Sequence, residues 1–126
     1  MYPYLLVAVG GALGSAARYG TGVAVGKIWS SPFPLATMLI NIAGSLLMGL
    51  FIGYLARTTP AWQADARLFV AVGVLGGFTT FSSFSLDTIS MFERGEIGQA
   101  FLYVLLSMLV SIAALYGGLL LMRGHA

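Results

Sequence analysis

Four long apolar stretches, separated by short polar links, run along the chain and cover about residues 3–26, 34–56, 67–92 and 98–121. An apolar run of about 20 residues is long enough to cross the hydrocarbon core of a bilayer as a helix. The pattern therefore predicts an all-α membrane protein, with one four-helix transmembrane domain over residues 1–126. An even number of crossings puts both termini on the same side of the membrane.

The third stretch contains an unusually polar segment, residues 76–85, with the sequence GGFTTFSSFS. Its glycine pair can bend or break a helix, and its five hydroxyl side chains can satisfy the backbone groups that a break frees. A broken membrane helix offers carbonyl groups at one half-helix end, which suit a cation, and amides at the other, which suit an anion. We therefore predict a break in the third helix and an ion-handling role for this segment.

Composition supports the membrane assignment and excludes several kinds of function. Hydrophobic residues make up 59% of the chain and charged residues only 8%, whereas a soluble domain averages about 25% charged residues. The chain has no cysteine, and its one histidine, His125, is the penultimate residue. The membrane segments thus lack the residues for nucleophilic or acid–base catalysis, and the weak positive charge does not suit nucleic acid. We predict that the protein is not an enzyme.

The basic residues do not specify one orientation in the membrane. Orientation normally follows an excess of Lys and Arg on the cytoplasmic side. Here the predicted topology divides them equally, as Arg57, Arg67 and Arg123 on one side and Arg18, Lys27 and Arg94 on the other. Either an unrecognised determinant fixes one topology, or the protein inserts both ways and pairs with its own inverted copy. We favour the inverted pair, because the basic residues show no bias. Small residues at four-residue spacing also pack the four helices tightly and leave little room for an internal pore, so we expect an assembly of chains.

Three polar residues inside or beside the apolar stretches allow two interpretations each. Asn41 either forms a hydrogen bond between helices or turns its amide donor towards a polar path. Arg18 either extends to the membrane surface or fixes a positive charge at the mouth of an anion pathway. Asp87 is either an interfacial acid or a functional carboxylate.

Hydroxyl groups and phenyl rings recur at helical spacing. Tyr103, Ser107 and Ser111 are four residues apart and form one stripe of a helix. A single serine normally bonds back to a carbonyl one turn earlier, but three hydroxyls in register indicate a functional stripe. Phe81 and Phe84 share a face, and phenyl rings have positive edges that can line an anion path, although they can also be packing residues. Because donors dominate and acids are nearly absent, the residues favour a narrow anion pathway.

Four pieces of sequence, in this order, resemble the Fluc fluoride channels of bacteria, which are also known as camphor-resistance proteins. They are GALGSAARY, the asparagine in LINIAGSLLMG, GGFTTFSSFS, and the series of Tyr103, Ser107 and Ser111. The resemblance covers essentially the whole chain. It implies a dual-topology antiparallel homodimer in the lipid bilayer of the bacterial inner membrane. Two pores per dimer would export fluoride passively and so relieve its toxicity.

The resemblance also implies roles for individual residues. The ring edges of Phe81 and Phe84 would contact fluoride, Asn41 would lie on the pore, and Arg18 would line a positive vestibule. The hydroxyls of the fluoride pathway would be those of Thr80, Ser82, Ser83, Tyr103, Ser107 and Ser111. A structural sodium ion at the dimer centre would bind the backbone carbonyls of Gly76 and Thr79.

Two other functions remain as alternatives. A small dual-topology multidrug exporter also has four helices, but it needs an acid within the membrane, and the first two apolar stretches contain no Asp or Glu. A non-transporting assembly subunit would explain the spaced small residues. It would explain neither the hydroxyl stripe nor the ring pair.

Overall fold

The computed structural model describes residues 2–123, so His125 lies outside the described residues. Within that range every regular element is a helix. In chain order they are α1 (Tyr2–Ile28), α2 (Leu35–Thr58), α3 (Gln63–Ala66), the π-helix π1 (Arg67–Leu75), α4 (Gly76–Phe78), α5 (Phe81–Glu93) and α6 (Ile97–Arg123).

Three segments are long and apolar enough to cross a membrane. They are Leu35–Thr58, Gln63–Glu93 and Ile97–Arg123, with mean hydropathies of 2.0, 1.6 and 2.3. No more than 17% of the most apolar part of each is buried inside the chain, so most of their apolar surface faces outward. α1 has 27 residues, but Arg18 and Lys27 make it less apolar. These helices agree with the predicted all-α membrane protein.

The third apolar segment is interrupted at Thr79 and Thr80. Both residues are extended, with φ and ψ of −82° and 160° at Thr79 and of −152° and 122° at Thr80. Gly76 and Gly77, which the sequence suggested as the point of breakage, are helical. A Cβ atom on Gly77 would lie 2.7 Å from the carbonyl oxygen of Gly11. Glycine is therefore needed at position 77 for close packing against α1.

The long helices pack as two pairs, α1 against π1 and α4, and α2 against α6. Glycine permits both close approaches. A Cβ atom on Gly14 would overlap the carbonyl oxygen of Val74 in π1, and one on Gly49 would overlap that of Leu115 in α6. Such contacts between small residues and backbone are typical of helix packing in membranes.

Two of the three largest fully buried side chains lie where α5 meets α6. Met91 of α5 and Tyr103 of α6 are fully buried, and Phe33, Met38 and Phe84 pack against them. This apolar cluster fixes the orientation of α5, which begins directly after the interruption. The cluster thus positions the side chains of the candidate site.

Candidate functional site

A cavity of about 300 Å³ opens between α2, the interruption at Thr79 and Thr80, α5 and α6. Six of the residues that the sequence assigned to an ion pathway line it: Asn41, Thr80, Phe81, Phe84, Ser107 and Ser111. They come from α2, from the interruption and from the consecutive helices α5 and α6. The fold therefore brings most of the predicted pathway to one place.

Asn41 connects α2 to the interruption through two hydrogen bonds. Its Nδ2 donates to the carbonyl oxygen of Thr80 at 3.0 Å, and the backbone nitrogen of Thr80 donates to its Oδ1 at 2.8 Å. An extended residue cannot form the hydrogen bonds of a helix, and the amide side chain replaces them in an apolar setting. The amide still has a second N–H group, which this pair does not use. Asn41 thus bonds to the interruption and also lines the cavity, so both interpretations from the sequence remain compatible with its position.

Thr80 forms the N-cap of α5. Its Oγ1 accepts a hydrogen bond from the backbone nitrogen of Ser83 at 3.1 Å and lies 3.4 Å from Oγ of Ser82. A threonine in this position satisfies one of the free N–H groups at a helix start. Ser82 itself is exposed and does not line this cavity.

The two phenyl rings of the site differ in their surroundings. The ring centroids of Phe81 and Phe84 lie 5.8 Å apart with an interplanar angle of 44°. Phe84 is half-buried and packs on Tyr103 at 5.1 Å, whereas the side chain of Phe81 is 79% exposed. Phe84 is therefore held by the core, and Phe81 stands at the open side of the cavity.

Ser107 and Ser111 have buried hydroxyl groups that form no hydrogen bond with any of residues 2–123. Other hydroxyls in the helices, such as those of Thr58, Ser85 and Thr88, donate to the carbonyl oxygen four residues earlier. Leaving a buried hydroxyl unpaired is costly. The two serines are thus free to donate to a small polar species inside the cavity.

Tyr103 shares a stripe of α6 with Ser107 and Ser111 but has different contacts. It is fully buried, and its hydroxyl donates to Oδ2 of Asp87 at 3.1 Å. Its ring also meets that of Phe33 edge-on, with centroids 5.7 Å apart. Tyr103 does not line the cavity but supports Phe84 from behind. Its hydrogen bond gives Asp87 a partner within the protein.

Arg18 lies in a second cavity of about 300 Å³, between α1, α2 and the start of α5. Its Nε donates to the carbonyl oxygen of Gly77 at 3.2 Å, at the C-terminal end of α4. The hydroxyl-bearing residues Thr37, Thr80 and Ser83 line the same cavity. A fixed positive charge beside hydroxyl groups attracts anions. Thr80 borders both cavities, so the two adjoin each other at the interruption.

The carbonyl groups of Gly76 and Thr79 lie near the C-terminal end of α4. The side-chain and backbone donors around the interruption bond to the carbonyl groups of Leu75, Gly77 and Thr80. None of these bonds involves the carbonyl of Gly76 or Thr79, and Gly76 is exposed at the surface of the chain. Carbonyl groups at a helix C-terminus carry partial negative charge and suit a cation.

One serine and one threonine that line the cavities were not predicted from the sequence. Ser45 lines the first cavity, and Thr37 lines the second. Ser45 lies one helical turn after Asn41, and this spacing could have identified it. However, Ser45 is also four residues before Gly49 and eight before Gly53, a spacing of small residues that is equally typical of helix packing in membranes. Nothing in the sequence around Thr37 distinguishes it from a helix-surface residue.

This chain is similar to known proteins over a range that includes every residue of the candidate site. A family model described as CrcB-like protein, Camphor Resistance (CrcB), matches residues 5–119. A protein of Agrobacterium fabrum named fluoride-specific ion channel FluC is 52% identical over 118 residues, which are 94% of this chain and 94% of its own. One of Nitrobacter hamburgensis named fluoride-specific ion channel FluC 2 is 50% identical over 120 residues (95% and 96%). A FluC protein of a Caulobacter species is 48% identical over 123 residues (98% and 96%).

Proposed function

This chain belongs to the CrcB-like, camphor-resistance family, and we propose that it is a fluoride-selective ion channel that lets fluoride leave the cell passively. Its relatives with about half of their residues identical are named fluoride-specific ion channels. The observation that carries the proposal is the cavity between α2, α5 and α6. Its lining combines an amide, two unpaired buried hydroxyls and two phenyl rings.

These groups match the chemistry of fluoride. Fluoride is small and strongly hydrated, and it enters a narrow pathway only if protein donors replace its water. The N–H group of Asn41 and the hydroxyls of Ser107 and Ser111 are such donors. The positive edges of Phe81 and Phe84 interact with an anion more weakly, which allows it to leave again.

The lining does not suit the multidrug exporter that the sequence left as an alternative. As far as residues 2–123 define the cavity, none of its lining residues is acidic. Proton exchange for a cationic drug requires such an acid. A fluoride channel is not an enzyme, so the proposal also involves no covalent step.

We further propose that the working unit is a homodimer of inverted copies with two antiparallel pores in the bacterial inner membrane. In this assembly α1 is the fourth membrane-spanning helix. The even distribution of basic residues supports insertion in both orientations. The exposed ring of Phe81 supports a second chain that completes the open side of the cavity.

A structural sodium ion at the dimer centre is part of this proposal. The carbonyl oxygens of Gly76 and Thr79 would hold it, and two inverted chains would together supply four oxygens. The ion would neutralise the α4 helix ends of the two chains and thereby stabilise their contact. If so, replacing sodium by a large organic cation lowers the thermal stability of the purified dimer. Unchanged stability would argue against the ion.

The test of the proposed function is ion efflux from liposomes that contain the purified protein. Vesicles loaded with potassium fluoride are diluted into fluoride-free buffer with valinomycin, which lets potassium leave with the anion and keeps the charge balanced, and the released anion is measured with an electrode selective for it. Chloride-loaded vesicles serve as the control. We expect rapid release of fluoride and release of chloride at the rate of protein-free vesicles. Equal rates for both ions, or no release of fluoride, would refute the proposal.

A further inference from the structure

Ser45 is a hydroxyl residue of the cavity that neither the family resemblance nor the spacing of the α6 serines had assigned to the pathway. It lies on α2 one turn after Asn41, is half-buried, and lines the same cavity. A serine in an apolar helix usually donates to the carbonyl oxygen one turn earlier. The hydroxyl of Ser45 makes no such bond, nor any other within the described range 2–123, whereas that of Ser85 donates to Phe81.

The packing of α2 on α6 determines what lies opposite Ser45. Gly49 meets the backbone of Leu115, and a Cβ atom on Gly53 would lie 3.4 Å from Cα of Leu119. The two helices are therefore parallel, and their residues keep a constant offset over this turn. Because a helical turn takes about 3.6 residues, moving back four positions on each helix keeps the facing pairs together.

One turn before the contact of Gly49 with Leu115, this register brings Ser45 to the level of Ser111. One further turn back, it brings Asn41 to the level of Ser107. All four polar residues line the cavity, which is consistent with the register. The donors thus lie at two successive levels, each with one residue from α2 and one from α6.

We propose that Ser45 is a fluoride-coordinating residue that donates its hydroxyl to the same anion as Ser111. The inference rests on the proposed fluoride transport. Ser111 alone would replace the water of the anion on one side only. Ser45 supplies a second donor from the opposite helix. Beyond this level the cavity is bordered by Met48 and Leu115, so the Ser45–Ser111 level ends the polar part of the lining.

The test compares fluoride efflux from liposomes for Ser45→Ala, Ser45→Thr and Thr58→Ala. In Ser45→Ala the anion loses a hydrogen bond, and this loss slows fluoride efflux about tenfold. Ser45→Thr retains the hydroxyl and restores most of the wild-type rate. Thr58→Ala is the control on the same helix: the Thr58 hydroxyl already donates to the carbonyl oxygen of Tyr54 and lines neither cavity, so this variant transports at the wild-type rate. Size-exclusion profiles and thermal midpoints, which should not change, show that the variants are folded.

A double variant tests whether the two serines bind one anion. If they share it, the rate loss in Ser45→Ala/Ser111→Ala is smaller than the product of the two single losses, because the effects of coupled sites do not multiply. A loss equal to that product would overturn the shared site.

The outcomes separate this inference from the proposed function. If the wild-type protein releases fluoride and Ser45→Ala releases it equally fast, the role of Ser45 is refuted and the channel stands. Equal slowing in Ser45→Ala and Ser45→Thr would also refute it, because the hydroxyl would then not be the cause. If the wild-type protein itself releases no fluoride, the proposed function fails.

Discussion

At the scale of single residues, Asn41 combines a structural role with its proposed role on the fluoride path. Its amide holds the extended backbone of Thr80 through two hydrogen bonds and at the same time borders the cavity. Phe81 is the opposite case, since its ring is largely exposed and contributes little to the interior of one chain. Substitutions at these two positions should therefore affect stability differently while both reduce transport.

Asn41→Asp should abolish fluoride efflux and destabilise the protein. The carboxylate can still accept from the backbone nitrogen of Thr80 but cannot donate to its carbonyl oxygen, and it places a negative charge where an anion must pass. Loss of a buried hydrogen bond costs about 1–3 kcal/mol. The checks are fluoride efflux from liposomes and the thermal midpoint in detergent. Wild-type efflux in Asn41→Asp would remove this residue from the pathway.

Phe81→Ile should greatly slow fluoride efflux with little change in stability. Isoleucine is apolar but has no aromatic edge to present to the anion. As the ring is 79% exposed in the chain, its loss leaves no cavity in the monomer core. The same substitution at Phe84 is the matched comparison, because Phe84 packs on Tyr103 and should lower the thermal midpoint as well. Unchanged efflux in Phe81→Ile would show that its ring does not line the path.

The sequence indicated which residues line the cavity better than it indicated which residues their side chains contact. Asn41, Ser107 and Ser111 could be recognised because polar side chains are costly in lipid and their spacing is visible in the chain. The bond from Tyr103 to Asp87 could not be predicted, since it joins residues 16 positions apart on two helices. The packing of α5 against α6 brings the tyrosine hydroxyl to Asp87.

At the scale of helices, close packing of α1 on π1 places the interruption. Three of the four predicted apolar stretches, those now seen at Leu35–Thr58, Gln63–Glu93 and Ile97–Arg123, could be read from hydropathy, because about 20 apolar residues suffice to span a bilayer. The position of the interruption at Thr79 and Thr80 could not be read from the sequence. Gly77 looked like a breakage point, but its lack of a side chain is used for contact with Gly11. The sequence does not show which of these two uses of glycine applies.

Gly14→Ala should destabilise the fold, and Gly20→Ala should not. A Cβ atom at position 14 would overlap the carbonyl oxygen of Val74, whereas no atom lies within 4 Å of one at position 20. Overpacking of this kind typically costs about 1–3 kcal/mol. Thermal unfolding in detergent compares the two variants. Equal midpoints would show that the contact of α1 with π1 is not as tight as described.

At the scale of the whole molecule, most of the apolar surface of one chain has no partner within that chain. Lipid covers such a surface, but the open side of the cavity at Phe81 also needs a cover that keeps an anion path closed to lipid. The proposed second, inverted copy would meet this need. The equal division of basic residues removes the usual barrier to insertion in both orientations.

Dual topology predicts that each connecting link faces both sides of the membrane in different copies. Because the chain has no cysteine, Ser30→Cys and Thr58→Cys each introduce a single reactive thiol. In intact cells, a membrane-impermeant thiol reagent should label about half of the molecules of each variant, because neither orientation is favoured by charge. Permeabilised cells give the full signal as a control. Labelling of one variant completely and of the other not at all would establish a single orientation.

The most direct test of passive fluoride selectivity is the voltage at which no current flows across a planar bilayer that contains the protein. The bilayer separates a fluoride gradient and an opposing chloride gradient. A passive fluoride-selective channel predicts that this voltage follows the fluoride gradient and does not change when the pH of one chamber changes. A voltage that follows chloride would contradict fluoride selectivity. One that moves with the proton gradient would contradict a passive channel.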